Sequence, residues 1–304
     1  MNIAILGAGI IGVTTAYELA TDGHQVTVFE RHASVAEGSS FANAGVVAPG
    51  YVTPWAAPGM PLKVLRYLLA HHAPVRLRRP LALADIAWMR HWLAACEGTA
   101  YARNRARMQR LAFYSRHRLH RLADAMAYDF DRSSGYMVLL RAERDRRLAQ
   151  PGLALLRERG VPCDAPDAAG ARRIEPALHP HTALAGAIPL PQDEVGNCRQ
   201  FAIILRDAAE QLGARFAFNT TVTAIDKTQP ATFHVAHSAV PLRFDALVLC
   251  AGVGSAELLR PLGLRLPLRP VYGYSVSAPV PEPATLLLMG AGLLGVARAM
   301  KRRA

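Results

Sequence analysis

The sequence is short of the residues that build small cross-linked folds or metal sites. Its four cysteines, Cys96, Cys163, Cys198 and Cys250, are scattered without a CxxC pair. No disulfide framework is expected, and a reducing compartment suits this usage. No HExxH or comparable spacing occurs among the histidines; His71-His72 and His179-Pro-His181 lie in proline-bounded loops, so no metal site is expected. Aromatics are only 7% of the chain, and without a stacking platform or a recognised motif nucleic acid is not an expected partner. Acid is scarce too: 23 Asp and Glu face 35 Lys and Arg, a formal net charge of +12. The N-terminal apolar run lacks a basic leader and reads as a strand, not a signal peptide. What is present is a 51% apolar chain of 304 residues. That excludes a disordered or fibrous class and allows one large or two medium domains with a real core.

The first thirty residues carry the most specific signal. Ile3 to Leu6 is a continuous apolar strand of the kind buried in parallel sheets. It leads into Gly7-Ala8-Gly9-Ile10-Ile11-Gly12, a helical pattern to Ala20, and a second strand over 25–29 that ends in Glu30. Gly7 permits the tight turn, Gly9 lets backbone N–H groups approach a pyrophosphate, and Gly12 lets helix and strand pack closely. Glu30 stands where a carboxylate accepts hydrogen bonds from ribose hydroxyls. Strand, glycine turn, helix, second strand and acid in this register specify a dinucleotide site.

Beyond Glu30, the loop from Gly38 to Gly50 is rich in small residues, with Ser39, Ser40, Asn43, Ala44 and Gly45 among them. Such side chains suit backbone lying against a ligand. After prolines at 54, 58 and 61 the pattern is helical from 62 to 126, with Trp88 and Trp92 one turn apart and expected in the core. Seven arginines fall between Arg103 and Arg121, together with His117 and His120. Met108, Leu111, Ser115, Leu119, Leu122 and Met126 recur there at helical spacing and predict one core-facing stripe. Two readings of the arginines stay open: a solvated helix face, or attraction to an anionic membrane surface. A strand at 136–140, a helix at 142–159 and a strand at 184–190 complete an α+β insertion. The sheet theme resumes with a helix at 201–212, a strand at 215–218, and short strands at 222–225 and 233–236. A buried strand at 244–250 follows, ending in Ala251-Gly252-Val253-Gly254. A second glycine turn at a strand's carboxyl end predicts the same sheet meeting the same ligand again.

Further motifs occur in a fixed order: Ser40-Phe-Ala-Asn43-Ala-Gly45, Pro49-Gly50-Tyr51, Pro54-Trp55-Ala-Ala-Pro-Gly59, Pro191-Gln-Asp-Glu-Val-Gly-Asn-Cys198, Phe218-Asn-Thr-Thr-Val222 and Pro270-Val-Tyr-Gly-Tyr-Ser275. On these the chain, over residues 1–276, resembles the FAD-dependent D-amino acid dehydrogenase small subunit, within the D-amino acid oxidase and glycine oxidase group. The resemblance implies an α/β fold: an FAD-binding Rossmann-like domain with a parallel sheet (1–57 and 190–262) and an incomplete α+β substrate domain (58–189 and 263–278). It implies FAD as cofactor. Gly7, Ala8, Gly9, Ile10, Ile11 and Gly12 would hold the pyrophosphate and Glu30 the adenosine ribose. Arg31 and Ser39, Ser40, Asn43, Ala44 and Gly45 would lie along the diphosphate–ribityl arm. Val222 would pair with adenine through its backbone, and Ala251 and Gly252 would close over the cofactor. The implied reaction is oxidation of a D-amino acid such as D-alanine with electrons passing to a quinone. Tyr51 and Tyr274 are the candidates for lining the substrate pocket. An NAD-dependent enzyme is a weaker alternative, since the return at Ala251-Gly252 and the 39–45 loop suit a longer buried cofactor.

Residues 279–304 depart from that family. Pro281-Glu-Pro283, the apolar run 284–297 and the basic end Lys301-Arg-Arg303 resemble a PEP-type C-terminal sorting signal. The run is shorter than the roughly 17–25 residues of a membrane span. Its Gly290-x-Gly292-x-x-Gly295 follows no strand, so it predicts no second dinucleotide site. Two accounts are carried: a fused or frame-disrupted product without the family's last third, which is favoured, and a shortened protein tail-anchored at the inner membrane. The missing part would supply the arginine that clamps the substrate carboxylate and the cover over the flavin. The expected location is the cytoplasm, with peripheral or tail-mediated membrane contact. The alternative from another class is a noncatalytic membrane-associated flavin-binding or surface protein defined by its tail.

Overall fold

The computed structural model describes residues 1–68, 82–126, 129–158, 164–229 and 231–271. In chain order its elements begin with β1 (Asn2–Leu6), α1 (Ile10–Thr21), β2 (Gln25–Phe29) and β3 (Val46–Val47). Three helices follow, α2 (Met60–Leu68), α3 (Leu83–Ala95) and α4 (Gly98–Met126), then β4 (Ser133–Leu140), α5 (Glu143–Glu158), α6 (Ala168–Ile174) and β5 (Gly186–Val195). The last group is α7 (Cys198–Gln211), β6 (Arg215–Ala217), β7 (Val222–Ile225), β8 (Thr232–Val235), β9 (Leu242–Arg243), β10 (Ala246–Leu249) and α8 (Ser255–Leu259). Met1–Pro270 is one folding unit; the other, Val271–Ala304, lies past its first residue outside the described residues. The sorting-tail segment and Tyr274 therefore cannot be placed.

The first sheet has the order β10-β1-β2-β6, and each of its pairs is parallel. Its register sets Leu6 opposite both Leu249 and Phe29, and Phe29 opposite Ala217, so the carboxyl ends of the four strands share one edge. Strand period decides what each face buries. Ile5, Val26 and Val28 pack with Val13, Ala16 and Ala20 of α1 and with Phe201, Ala202, Leu205 and Ala209 of α7. Ala4, Leu6 and Phe29 pack on the opposite side with Phe233 and the small antiparallel sheet β7-β8-β9. Each large aliphatic buried here contributes about 1.5–3 kcal/mol. Residues 215 to 249, so far from β1 in sequence, supply both edge strands of the sheet, β6 and β10.

The intervening segment builds the antiparallel sheet β3-β5-β4. Pairing slips between Ser134↔Glu194 and Tyr136↔Leu190, so Pro191, Gln192 and Asp193 bulge opposite Gly135, whose φ is +93°. α4 begins behind Glu97, whose carboxylate accepts the N–H groups of Thr99 and Ala100, both at 3.0 Å. With the Thr99 hydroxyl as a further donor, these bonds hold its pKa down at about 2. The chain beyond α8 packs on α3: Trp88 Nε1 donates to the Pro267 carbonyl at 3.0 Å, and Arg269 pairs with Asp85 at 2.7 Å.

Several expectations change. The α4 stripe does not hold along its length: Leu122 is buried and Leu119 half-buried, but Met108, Leu111 and Ser115 are exposed, while Arg105 and Gln109 are buried instead. Only the C-terminal part of this 29-residue helix reaches the first sheet's core, where Leu119, Leu122 and Ala123 pack. Of the arginines, Arg103, Arg107, Arg110 and Arg121 are exposed, whereas Arg116 and Arg118 make ion pairs. Trp88 and Trp92 are half-buried, because no residue of α3 is fully buried. β10 is shorter than 244–250 and half-buried, being the edge strand of its sheet. The second insertion strand runs to Val195, beyond the expected 190. His71, His72 and Cys163 lie outside the described residues; His179 and His181 are exposed. No His, Cys, Asp and Glu group among the described residues has metal-site geometry.

Candidate cofactor site

The carboxyl edge of the parallel sheet assembles most of the predicted set. Gly7 follows β1 at φ +105°, a conformation that suits glycine. A Cβ there would lie 2.6 Å from the Cys250 carbonyl oxygen and 3.1 Å from Ala251 Cα. The return at Ala251 and Gly252 therefore abuts the first glycine turn, as their shared sheet edge predicted. Gly12 is more constrained still: its Cβ would come within 1.9 Å of the Gly7 carbonyl oxygen. Gly9 differs. A Cβ on it would meet only the Ser40 hydroxyl, at 3.5 Å, so protein packing does not demand glycine there. That open approach is what a pyrophosphate lying against backbone needs.

The first intrahelical bond of α1 runs from Val13 N–H to the Gly9 carbonyl at 3.0 Å. The N–H groups of Ile10, Ile11 and Gly12 thus lie ahead of the ladder, at the positive end of the helix dipole. Ser40, buried by the fold of its loop, accepts the Ile10 N–H at 3.1 Å. The small-residue loop is therefore draped on the helix N-terminus. Ser39 is exposed beside it.

Glu30 is positioned from both sides. Its Oε2 accepts the Ala8 N–H at 2.7 Å and its Oε1 the His32 N–H at 3.0 Å. Each oxygen retains a further lone pair, so the acid braces the glycine turn and can still accept ribose hydroxyls. Thr220 N–H donates to the Glu30 carbonyl at 2.8 Å, and Val222, two residues on, packs in the cluster that holds Leu6 and Phe29. Arg31 is exposed, its Nε 3.2 Å from His32 Nε2.

Asn43 and Gly45 have a local reason to be where they are. Asn43 Oδ1 accepts the Gly45 N–H at 2.8 Å, and Gly45, at φ +62°, lies so close to Gly196 that a Cβ would sit 2.2 Å from its carbonyl oxygen. These two residues join the loop to the second sheet, and Ala44 between them is exposed. Tyr51 is 47% exposed, with its ring 5.6 Å from that of Tyr136. Sequence reading missed the charged ties that fix this loop. Glu37 pairs with Arg199 of α7 at 2.9 Å, and the Arg199 guanidinium lies 4.6 Å from the Phe41 ring centroid.

FAD fits this cradle: an open glycine, a helix N-terminus, a seryl loop and an oriented acid surround one sheet edge. The fold and site define an α/β dinucleotide-binding protein of the flavoprotein type. The chain belongs to the FAD dependent oxidoreductase family (DAO), whose profile matches residues 2–298, and FAD is that family's cofactor. It is similar to the D-amino acid dehydrogenase of Rhizobium johnstonii, with 41% identity over 285 residues covering 93% of this chain and 68% of the relative. The D-amino acid dehydrogenase of Rhizorhabdus wittichii is also 41% identical, over 286 residues, covering 93% of this chain and 69% of that relative. Among solved structures, glycine oxidase from Geobacillus kaustophilus shares the fold with a TM-score of 0.63 at 22% identity. That match covers 87% of this chain but only 59% of the glycine oxidase. No helix among the described residues is long and apolar enough to cross a membrane.

Proposed function

We propose that this chain is an FAD-dependent oxidoreductase of the D-amino acid dehydrogenase type, acting on D-amino acids such as D-alanine. The observation that carries the substrate class is the 41% identity to enzymes of that name across 93% of the chain. When bound, FAD would supply the two-electron acceptor for the hydride leaving the amino acid's Cα. The expected products are a keto acid and ammonium, after hydrolysis of the imino acid, with a quinone as final acceptor.

The chain's own contribution is holding and orienting. The backbone of Gly7, Gly9 and Gly12 and the start of α1 hold the pyrophosphate, while Glu30 holds the ribose. Arg31 and the 39–45 loop flank the diphosphate–ribityl arm, the Val222 backbone meets adenine, and Ala251 and Gly252 close the edge. Tyr51 lines the substrate pocket; Tyr274, the other candidate, lies outside the described residues. The cofactor domain comprises 1–57 and 190–262, the substrate domain 58–189 and 263–278. In the test, anaerobic D-alanine is added to the FAD-loaded chain and flavin absorbance followed. Bleaching by D-alanine and not L-alanine is expected; no bleaching by any D-amino acid overturns the activity.

A second reading concerns membrane contact, and two features favour it: the apolar run 284–297 before a basic end, and the exposed arginines of α4 beside exposed Leu111 and Tyr114. Residues 279–304 act here as a sorting or anchoring tail. Deleting 280–304 should release the protein from the membrane fraction. A shortened chain that stays equally bound removes the tail from the account.

A further inference from the structure

Two acids sit side by side in the interior of β5. Asp193 and Glu194 are 3% and 4% exposed, although successive residues of a regular strand point to opposite faces. The bulge at 191–193 breaks that alternation, and both carboxylates reach α4. Glu194 is fully engaged, by His120 Nε2 at 2.7 Å and Arg132 Nε at 2.6 Å. Asp193 is engaged on one side only. Its Oδ1 accepts the Gly50 N–H at 3.2 Å and lies 3.7 Å from Arg116 Nη1, while the Arg116 guanidinium also donates to the Gln192 carbonyl. Its Oδ2 is buried without a hydrogen-bond partner among the described residues. Asp193 and Arg116 also border a small cavity with Phe113 and Leu190, large enough for about one water.

What Asp193 holds is the turn that carries Tyr51. The N–H groups of Tyr51 and Val52 both return to the Ala48 carbonyl, at 3.1 and 3.0 Å, closing a turn around buried Pro49 and Gly50. Gly50 lets the carboxylate in: a Cβ would lie 3.1 Å from Oδ2. On its other side the turn leans on Tyr136 of β4 through the Tyr51 ring. It begins directly after β3, and β3 directly after Gly45, so only a few residues separate Asp193's grip from the cofactor loop.

We propose that Asp193 is a positioning residue: by gripping the Gly50–Tyr51 turn, with Arg116 keeping its carboxylate charged, it sets how Tyr51 meets the substrate. The substrate half of this statement rests on the reading of Tyr51 as a pocket residue. The groups that face Asp193 are Arg116 from α4, Glu194 beside it on β5 and Tyr136 on β4, which also meets the Tyr51 ring. His120 and Arg132 reach it only through Glu194. Arg116 and the backbone N–H groups of Gly50 and Tyr51 favour its charge; burial, the largest effect, and Glu194 oppose it, and the net direction is a raised pKa. Protonation in the acid range therefore loosens the grip.

The test compares the full chain, incubated with FAD, as wild type, Asp193→Ala and Asp193→Asn, by amide hydrogen exchange over residues 48–52 and by steady-state kinetics with D-alanine and an artificial acceptor. In Asp193→Ala, exchange in the turn should quicken about tenfold and KM rise about tenfold, with kcat within about threefold and flavin content unchanged. Asp193→Asn, which keeps an acceptor, should restore part of both. The acid-side fall of kcat/KM in wild type should vanish in both variants. Unchanged exchange in Asp193→Ala overturns the proposal, as does a loss of flavin equal to the loss of activity. If wild type turns over no D-amino acid, the functional reading fails and exchange alone decides the grip. Should neither variant fold, Gly50→Ala, which presses a methyl on the carboxylate, must quicken exchange in the turn; if it does not, the proposal fails.

Discussion

Gly9 and Gly12 differ in what a side chain would strike, and that difference separates folding from cofactor binding. Gly12→Ala forces a methyl to 1.9 Å from the Gly7 carbonyl oxygen, so it should cost roughly 3 kcal/mol or more of stability and yield little folded protein. Gly9→Ala meets only a hydroxyl at 3.5 Å. It should leave the thermal midpoint of the flavin-free protein within about 2 °C, given a stability change of a few tenths of a kcal/mol, while FAD retention falls about tenfold or more. Differential scanning fluorimetry and flavin quantification on the same samples check both. Asp193 gives a pH prediction at this scale. Its pKa is raised on folding, so the native state binds more protons than the unfolded chain just above the ordinary carboxylate range. Its stability contribution is fully present below the unfolded pKa and declines as pH rises through the native one. Urea unfolding across that window should show a decline that Asp193→Asn lacks. The glycines and Glu30 were legible from sequence because their jobs are local, set within thirty residues. Asp193 was not, since its function depends on a bulge and on a helix some eighty residues away.

At the scale of elements, α4 is tied to its surroundings by contacts of different worth, two of which can be compared directly. Glu194, with its side chain 5% exposed, is shared by His120 and Arg132. Glu18 and Arg118, joining α1 to α4, are 36% and 32% exposed. Glu194→Ala should therefore cost about 2–3 kcal/mol, somewhat below the roughly 3–5 of a fully buried pair because both of its partners reach solvent. Glu18→Ala should cost under about 1 kcal/mol. Denaturant unfolding of the two variants orders them; equal losses contradict the assignment. Periodicity placed α4 as a helix but misjudged its face. Leu111 reads as core by spacing yet is 68% exposed, while Arg105 and Gln109 go inside. A helical stripe records which residues can share a face, not which end of a long helix has a neighbour.

At the scale of the molecule, four parallel strands drawn from residues 2–6, 25–29, 215–217 and 246–249 converge on one edge. The first and last of these strands in the chain were readable, because apolar strands ending in glycine turns mark both Gly7 and Gly252. Two strands of the second sheet were legible too, at 136–140 and 184–190, but not its bulge or β3, because the prolines and acids at 191–194 resemble a loop until β3 and β4 are paired to them. The central claim is that this edge is a single FAD site. The most direct measurement is equilibrium titration of the flavin-free chain with FAD, followed by flavin fluorescence. One FAD per chain should bind, and Gly9→Ala should weaken it without unfolding the protein. A chain that is folded, carries no flavin on purification and takes up none from added FAD would contradict the account.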